Sequence, residues 1–214
     1  MMAAGQEVAV GPMRLAAILH IPPAARGIVI FAHGSGSGRL SPRNQYVAER
    51  LYAAGHATLL LDLLTPVEER DRRYVFDIGL LASRLRAATD WCGEHPAAFG
   101  LRPAYFGAST GAGAALRAAA GDPRIAAVVS RGGRPDLAGR AALAGVEAPT
   151  LLIVGSLDGI VIDLNRDALA AMRCARELAI VPGAGHLFEE PGTLDQVVAL
   201  AQGWFGRFLG EENP

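Results

Sequence analysis

Six short apolar runs recur along this chain, at Gly27–Ala32, Ala57–Leu61, Ala104–Phe106, Ile125–Ser130, Thr150–Gly155 and Glu177–Val181. A strand with one wet face alternates apolar and polar residues, whereas a run without that alternation suits a strand covered on both faces, as in a parallel sheet. The stretches between the runs carry helical spacing. Ser41-Pro42 places a cap before proline at the first helical position, which predicts a helix to about Ala54 that Gly55 ends. Ile78, Leu81 and Leu85 share one helical face, and Gly111–Ala120 and Asp163–Met172 read as further helices. A last helix spans Leu194–Leu209, with Val197, Ala201, Trp204 and Phe205 among its inward residues. Ahead of these, Glu7–Val10, a turn at Gly11-Pro12 and Met13–Ile21 read as a hairpin, with Met13, Leu15, Ala17 and Leu19 on one face. The pattern predicts the α/β class: a doubly wound, mostly parallel sheet with an N-terminal antiparallel hairpin and right-handed crossovers.

Composition narrows the chemistry. At 214 residues the chain suits a single domain, 1–214, whose core needs no staples. All 20 basic residues are arginine. Without lysine there is no P-loop lysine for phosphates and no Schiff base for pyridoxal or aldolase chemistry. A net charge of −1 and the lack of a basic stripe argue against nucleic acid as a partner. No apolar run approaches the roughly 18 residues of a spanning helix, and Met1–Glu7 lacks the basic and apolar regions of a secretory leader. Cys92 and Cys174, both in helical-looking stretches, read as buried thiols rather than a disulfide framework. The five histidines lack metal-ligand spacing, so neither a metal nor a cofactor is expected. Glu68–Arg73 reads as a solvated loop. These features point to a cytoplasmic protein with no membrane partner; a homodimer remains an open option.

In doubly wound sheets ligands bind where the strands end, and four strand ends here carry chemistry. After the run ending at Phe106 comes Gly107-Ala108-Ser109-Thr110-Gly111 and then an alanine-rich helix. This is G-x-S-x-G in a strand–turn–helix setting, where a tight turn admits only tiny side chains two positions either side of the serine and projects its Oγ outward. A serine hydroxyl needs a base to take its proton, and the base needs an acid to fix its tautomer. Asp158 follows the run Thr150–Gly155, and His186 follows Glu177–Val181, in the order Ser, Asp, His. Asp163 is the rival acid but reads better as the start of a helix. Glu189 and Glu190, beside Pro191, read as the start of the last helix or as solvent-facing.

The fourth strand end is Ala32-His33-Gly34-Ser35-Gly36-Ser37-Gly38. Its glycines let backbone N–H groups turn inward, so the Ser35 N–H, with Gly36 next, joins the Thr110 N–H as an expected oxyanion hole. His33 reads as a structural hydrogen-bonding residue of that loop. The segment Arg131–Pro149 is long enough for one short helix, which predicts little or no lid and an open site. Arg131, just beyond a strand end, reads equally as a carboxylate-binding residue for substrate and as ordinary surface; Arg39, Arg134 and Arg140 read as surface.

Taken together, His33–Gly38, Gly107–Gly111, Ser130–Asp136, Gly155–Asp158 and Gly185–Pro191 resemble the α/β-hydrolase superfamily. The likeness is to its small dienelactone-hydrolase-like branch, which includes hydrolase domains joined to phosphoribosyltransferase-like domains. It covers nearly the whole chain, with no room for a transferase domain. Dienelactone hydrolases proper attack with cysteine, and Ser109 departs from that, which puts the dienelactone substrate in doubt but not acyl transfer. The resemblance implies a serine hydrolase acting on a small ester, thioester or lactone through an acyl-enzyme on Ser109. The alternatives are an acyltransferase using the same residues and a non-catalytic hydrolase-like binding protein.

Overall fold

The computed structural model describes residues 5–210; Met1–Ala4 of the stretch read for a leader lie outside them. Eight strands form one sheet: β1 (Gln6–Val10), β2 (Leu15–His20), β3 (Ile28–Ala32), β4 (Ala57–Leu61), β5 (Pro103–Ala108), β6 (Val128–Arg131), β7 (Thr150–Gly155) and β8 (Arg176–Val181). Their order across the sheet is β1-β2-β4-β3-β5-β6-β7-β8. β2 pairs antiparallel with β1 and β4, and every later pairing is parallel. The helices are α1 (Pro42–Ala53), α2 (Arg72–Val75), α3 (Ile78–Glu94), α4 (Thr110–Ala119), α5 (Arg140–Ala144), α6 (Gly159–Ala171) and α7 (Thr193–Leu209).

The apolar runs are explained by two cores, one on each sheet face. Along β3, Ile28, Ile30 and Ala32 pack with α3 and α4, while Val29 and Phe31 pack with α1 and α7. Successive side chains point to opposite faces, and here both faces are dry, so each position of the strand is apolar. Burying one such large side chain stabilises the fold by about 1.5–3 kcal/mol. β8 is the exception: it is the sheet edge, and its Arg176 and Glu177 are exposed, charges that discourage edge pairing. The helix starts follow local chemistry. The Ser41 hydroxyl accepts from the Asn44 N–H ahead of Pro42 at the start of α1, and the Asp77 carboxylate accepts from the Leu80 N–H at the start of α3.

Several boundaries differ from the sequence reading. The hairpin turn occupies Gly11–Arg14, closed by Arg14 N–H donating to the Gly11 carbonyl, so Met13 is turn residue and exposed rather than on the inner face of β2. β5 continues through Gly107 to Ala108, and β6 ends one residue later than expected, at Arg131. α6 starts at Gly159, which puts Asp163 inside the helix, paired with Arg166. Cys92 is buried in α3, but Cys174 lies half-buried in the turn between α6 and β8. Glu68–Arg73 holds a 3-10 turn (Glu68–Arg70) and the start of α2 instead of a loop, because Glu68 is drawn inward to Arg84 at 2.9 Å. Between β6 and β7 there is a 3-10 turn (Pro135–Ala138) and the five-residue α5, both packed on α4 and α6. No helix among the described residues is long and apolar enough to cross a membrane.

Candidate active site

Ser109 stands at the junction of β5 and α4 with φ of 49°, a left-handed conformation that costs a non-glycine residue on the order of 1–3 kcal/mol and recurs at functional turns. The two glycines of the motif explain how the turn closes. A methyl group at Gly107 would lie 2.5 Å from Ala112 Cα, and one at Gly111 would lie 2.2 Å from the Ala32 carbonyl oxygen. The first glycine lets α4 cross its own strand; the second lets α4 start against the end of β3. The Ser109 N–H donates to the Arg131 carbonyl, and the Ser109 carbonyl accepts from the Arg134 N–H. The elbow is thereby tied to the end of β6.

The ends of β7 and β8 converge in the same way. A methyl at Gly155 would meet the Ala184 carbonyl at 2.2 Å, and the Leu157 N–H donates to that carbonyl. This brings His186 Nδ1 to 2.6 Å from Asp158 Oδ2. A carboxylate oxygen accepts there, so Nδ1 carries the proton and Nε2 is left with its lone pair. His186 keeps 38 % of its side chain exposed and Asp158 16 %, so the imidazole is open to water while its acid is sheltered. No hydrogen bond joins Ser109 Oγ to the ring among the described residues, but both abut one strand end: a methyl at Gly132 would lie 3.6 Å from His186 Nδ1. Phe188, two residues beyond the histidine, is buried with φ of 55°, a strained position in the loop that carries His186. Neither Glu189 nor Glu190 starts α7: Glu189 pairs with Arg43, and Glu190 lies against Gly185 with its carbonyl accepting from the Thr193 N–H.

The loop after β3 packs directly on the serine. A methyl at Gly34 would lie 3.1 Å from Ser109 Cβ. His33 is a structural clasp, as expected: its Nε2 accepts from the Leu63 N–H at 3.0 Å, so the proton sits on Nδ1, which donates to the Gly34 carbonyl. The Ser35 N–H donates to Thr110 Oγ1 at 2.9 Å. Gly36 has φ of 70°, nothing within 4 Å of its Cβ direction, and lines the cavity along this loop. Asp62, at the end of β4, was not singled out in the sequence; it accepts from the Arg39 N–H at 2.6 Å and pairs with the Arg39 guanidinium. Its signal was its place after the run Ala57–Leu61. Arg39 is therefore a loop brace, while Arg134 pairs with Asp136 and Arg140 is exposed. A cavity of about 650 Å³ runs along this loop, from Thr110 past Arg39 to Leu64 and Val75.

Arg131 does not line that cavity. It is buried, Asn44 Oδ1 lies 3.4 Å from one guanidinium nitrogen, and the guanidinium carbon is 5.9 Å from the Phe188 ring centre. Burial, with the charge of Arg43, lowers its pKa to about 10.

No family model matches the chain. Among solved structures, the dienelactone hydrolase of Anabaena variabilis ATCC 29413 is 57 % identical, covers 97 % of this chain and 98 % of its own, and superposes with a TM-score of 0.92. The chain belongs to the dienelactone hydrolase family. Est1E from Butyrivibrio proteoclasticus shares the fold at 16 % identity, with a TM-score of 0.79 over 97 % of this chain and 99 % of its own. A dienelactone hydrolase-like promiscuous phosphotriesterase from metagenomic libraries does so at 19 % identity, with a TM-score of 0.77 over 96 % and 99 %. Among curated proteins, a Mycobacterium tuberculosis protein provisionally named a phosphoribosyl transferase is 61 % identical over 201 residues, in strains CDC 1551 and H37Rv alike. That match takes in 93 % of this chain and 45 % of the relative, so the chain spans about half the length of the curated relatives it matches. The dienelactone-hydrolase-like α/β fold expected from the sequence is thus shown.

Proposed function

We propose that this dienelactone-hydrolase-family protein is a serine hydrolase that cleaves a small ester, thioester or lactone through an acyl-enzyme on Ser109. The observation that carries the reading is the 2.6 Å contact between Asp158 Oδ2 and His186 Nδ1, which leaves Nε2 as the basic nitrogen of the ring. In the reaction, Nε2 takes the Ser109 proton as Oγ bonds to the acyl carbon and the carbonyl π pair moves onto oxygen. Collapse of that oxyanion breaks the bond to the leaving group, which receives the proton from His186. Water then repeats the sequence and releases the acid. The Thr110 N–H lies in the first turn of α4, where N–H groups have no helical partner and the helix dipole favours negative charge. It is the first oxyanion donor. Asp158 orients the imidazole and stabilises its protonated form.

Open access fits a small acyl substrate, since α5 and its preceding turn pack on α4 and α6. The two free thiols fit a reducing compartment, and we place the reaction in the cytoplasm. The transferase name of the mycobacterial relative attaches to a protein more than half of which this chain does not match. The test is intact mass after brief treatment with a fluorophosphonate, with Ser109→Ala beside the wild type. A single adduct on the wild type alone is expected. Folded wild type that takes up no adduct and hydrolyses no ester overturns the reading in favour of a binding protein.

A further inference from the structure

The Ser35 N–H, the loop donor expected for the oxyanion, is engaged by a side chain: Thr110 Oγ1 accepts from it at 2.9 Å. A hydroxyl has one proton and two lone pairs. One lone pair of Thr110 takes the Ser35 N–H, and its proton has no acceptor among the described residues. Thr110 is 5 % exposed, so this is a sheltered donor, and it borders the 650 Å³ cavity that runs along the loop after β3. Its position is fixed from both sides. Thr110 follows Ser109 at the head of α4, and the loop residue Gly34 stands within 3.1 Å, by its absent methyl, of Ser109 Cβ.

We propose that the Thr110 hydroxyl is itself an oxyanion donor, polarised by the Ser35 N–H, so that Thr110 supplies both a backbone N–H and a side-chain O–H to the developing charge. This rests on the acyl-enzyme reading above. A donor whose oxygen already accepts a hydrogen bond is strengthened by it. It also needs no backbone movement to meet the oxyanion, which is what preorganisation requires. No proton is transferred: the O–H keeps its hydrogen, points it at the carbonyl oxygen while negative charge sits there, and relaxes when the carbonyl reforms. Ser35 then acts through Thr110 as a positioning residue, and the threonine is the group that touches substrate.

The rival arrangement is a hydroxyl that merely plugs the hole and rotates aside to free the Ser35 N–H. Two variants separate them, assayed on an activated ester with fluorophosphonate labelling alongside. Thr110→Val keeps the side-chain shape and removes the donor; kcat is expected to fall about 10²-fold with KM little changed, and labelling to slow in parallel. Thr110→Ser keeps the hydroxyl and should stay within a few-fold of wild type. If the valine variant fails to fold, Thr110→Ala carries the same expectation. Valine or alanine variants as fast as wild type, or faster, overturn the proposal and favour the plug. Loss with both valine and serine also overturns it, by pointing to packing instead of the hydroxyl. A wild type with neither labelling nor turnover overturns the acyl-enzyme reading first, a result these variants cannot mimic.

Discussion

Asp158 sits at the N-cap of α6 and does not cap it: its Oδ2 turns instead to His186 Nδ1 at 2.6 Å. An aspartate at that position normally accepts from a backbone N–H of the first turn, a bond worth about 1 kcal/mol. Here the helix forgoes the cap so that the imidazole is held. Asp158→Asn keeps the shape but offers an amide, which favours the wrong histidine tautomer. Ester turnover is expected to fall by about 10³–10⁴-fold in kcat with little change in KM, while thermal unfolding stays within a few degrees. Steady-state kinetics with a melting curve checks both; unchanged kcat would sink the assignment of Asp158.

The glycines around the elbow make a graded prediction. At Gly111 an added methyl meets two backbone carbonyl oxygens, at 2.2 and 2.4 Å, and neither can yield without moving β3 or α4. Gly111→Ala is expected to cost upwards of about 3 kcal/mol, or roughly 6–12 °C in Tm, and to abolish activity. Gly36→Ala meets nothing within 4 Å, but its φ of 70° leaves a strain of about 1 kcal/mol, so roughly 2–4 °C is expected. Melting curves of the two variants should rank them in that order.

What could be read from the sequence follows from which forces are local. Strands buried on both faces announce themselves as apolar runs; Ser109 and Asp158 follow two of these and His186 follows the edge strand β8, so fold and candidate triad were legible together. Interactions between distant side chains were not. Nothing local says that Asp62 braces Arg39 across 23 residues, or that Thr110 Oγ1 takes the Ser35 N–H across 75. The same blindness misplaced the charges of Glu68–Arg73, where a remote Arg84 draws Glu68 inward. The start of α6 was missed because its N-cap residue spends its carboxylate elsewhere.

Two histidines away from the site set an acid limit on stability. His56 is 1 % exposed, and its Nδ1 has no partner among the described residues; burial first, then the charge of Arg26, push its pKa below the ordinary value. His20 is lowered by burial. Unfolded, both take protons near pH 6.5. The folded pKa values lie lower, so below that pH the unfolded chain binds more protons and stability falls with pH until the folded pKa values are passed. The stabilisation is fully present above about pH 6.5. Urea unfolding from pH 8 to 5 should show this decline, and His56→Leu should flatten part of it. A wild-type stability that is flat or rises over that range would refute the assignment.

Among the described residues, Arg131 is a buried charge with no carboxylate partner: its Nε has no acceptor there, and its one side-chain bond there is the 3.4 Å contact to Asn44. Taking an unpaired charge out of water costs several kcal/mol, and replacing it by an apolar side chain of similar length removes that cost. Arg131→Met is therefore expected to hold or raise Tm. The same variant distinguishes the two sequence readings of this residue. Arg131 lines neither the 650 Å³ cavity nor the smaller one of about 330 Å³ beside Arg43 and Phe188, so KM should be unchanged for neutral and for carboxylate-bearing esters alike. A KM that rises about tenfold or more for the carboxylate-bearing esters alone would instead make Arg131 a substrate-anchoring residue, reached by a movement of the loop that carries Phe188.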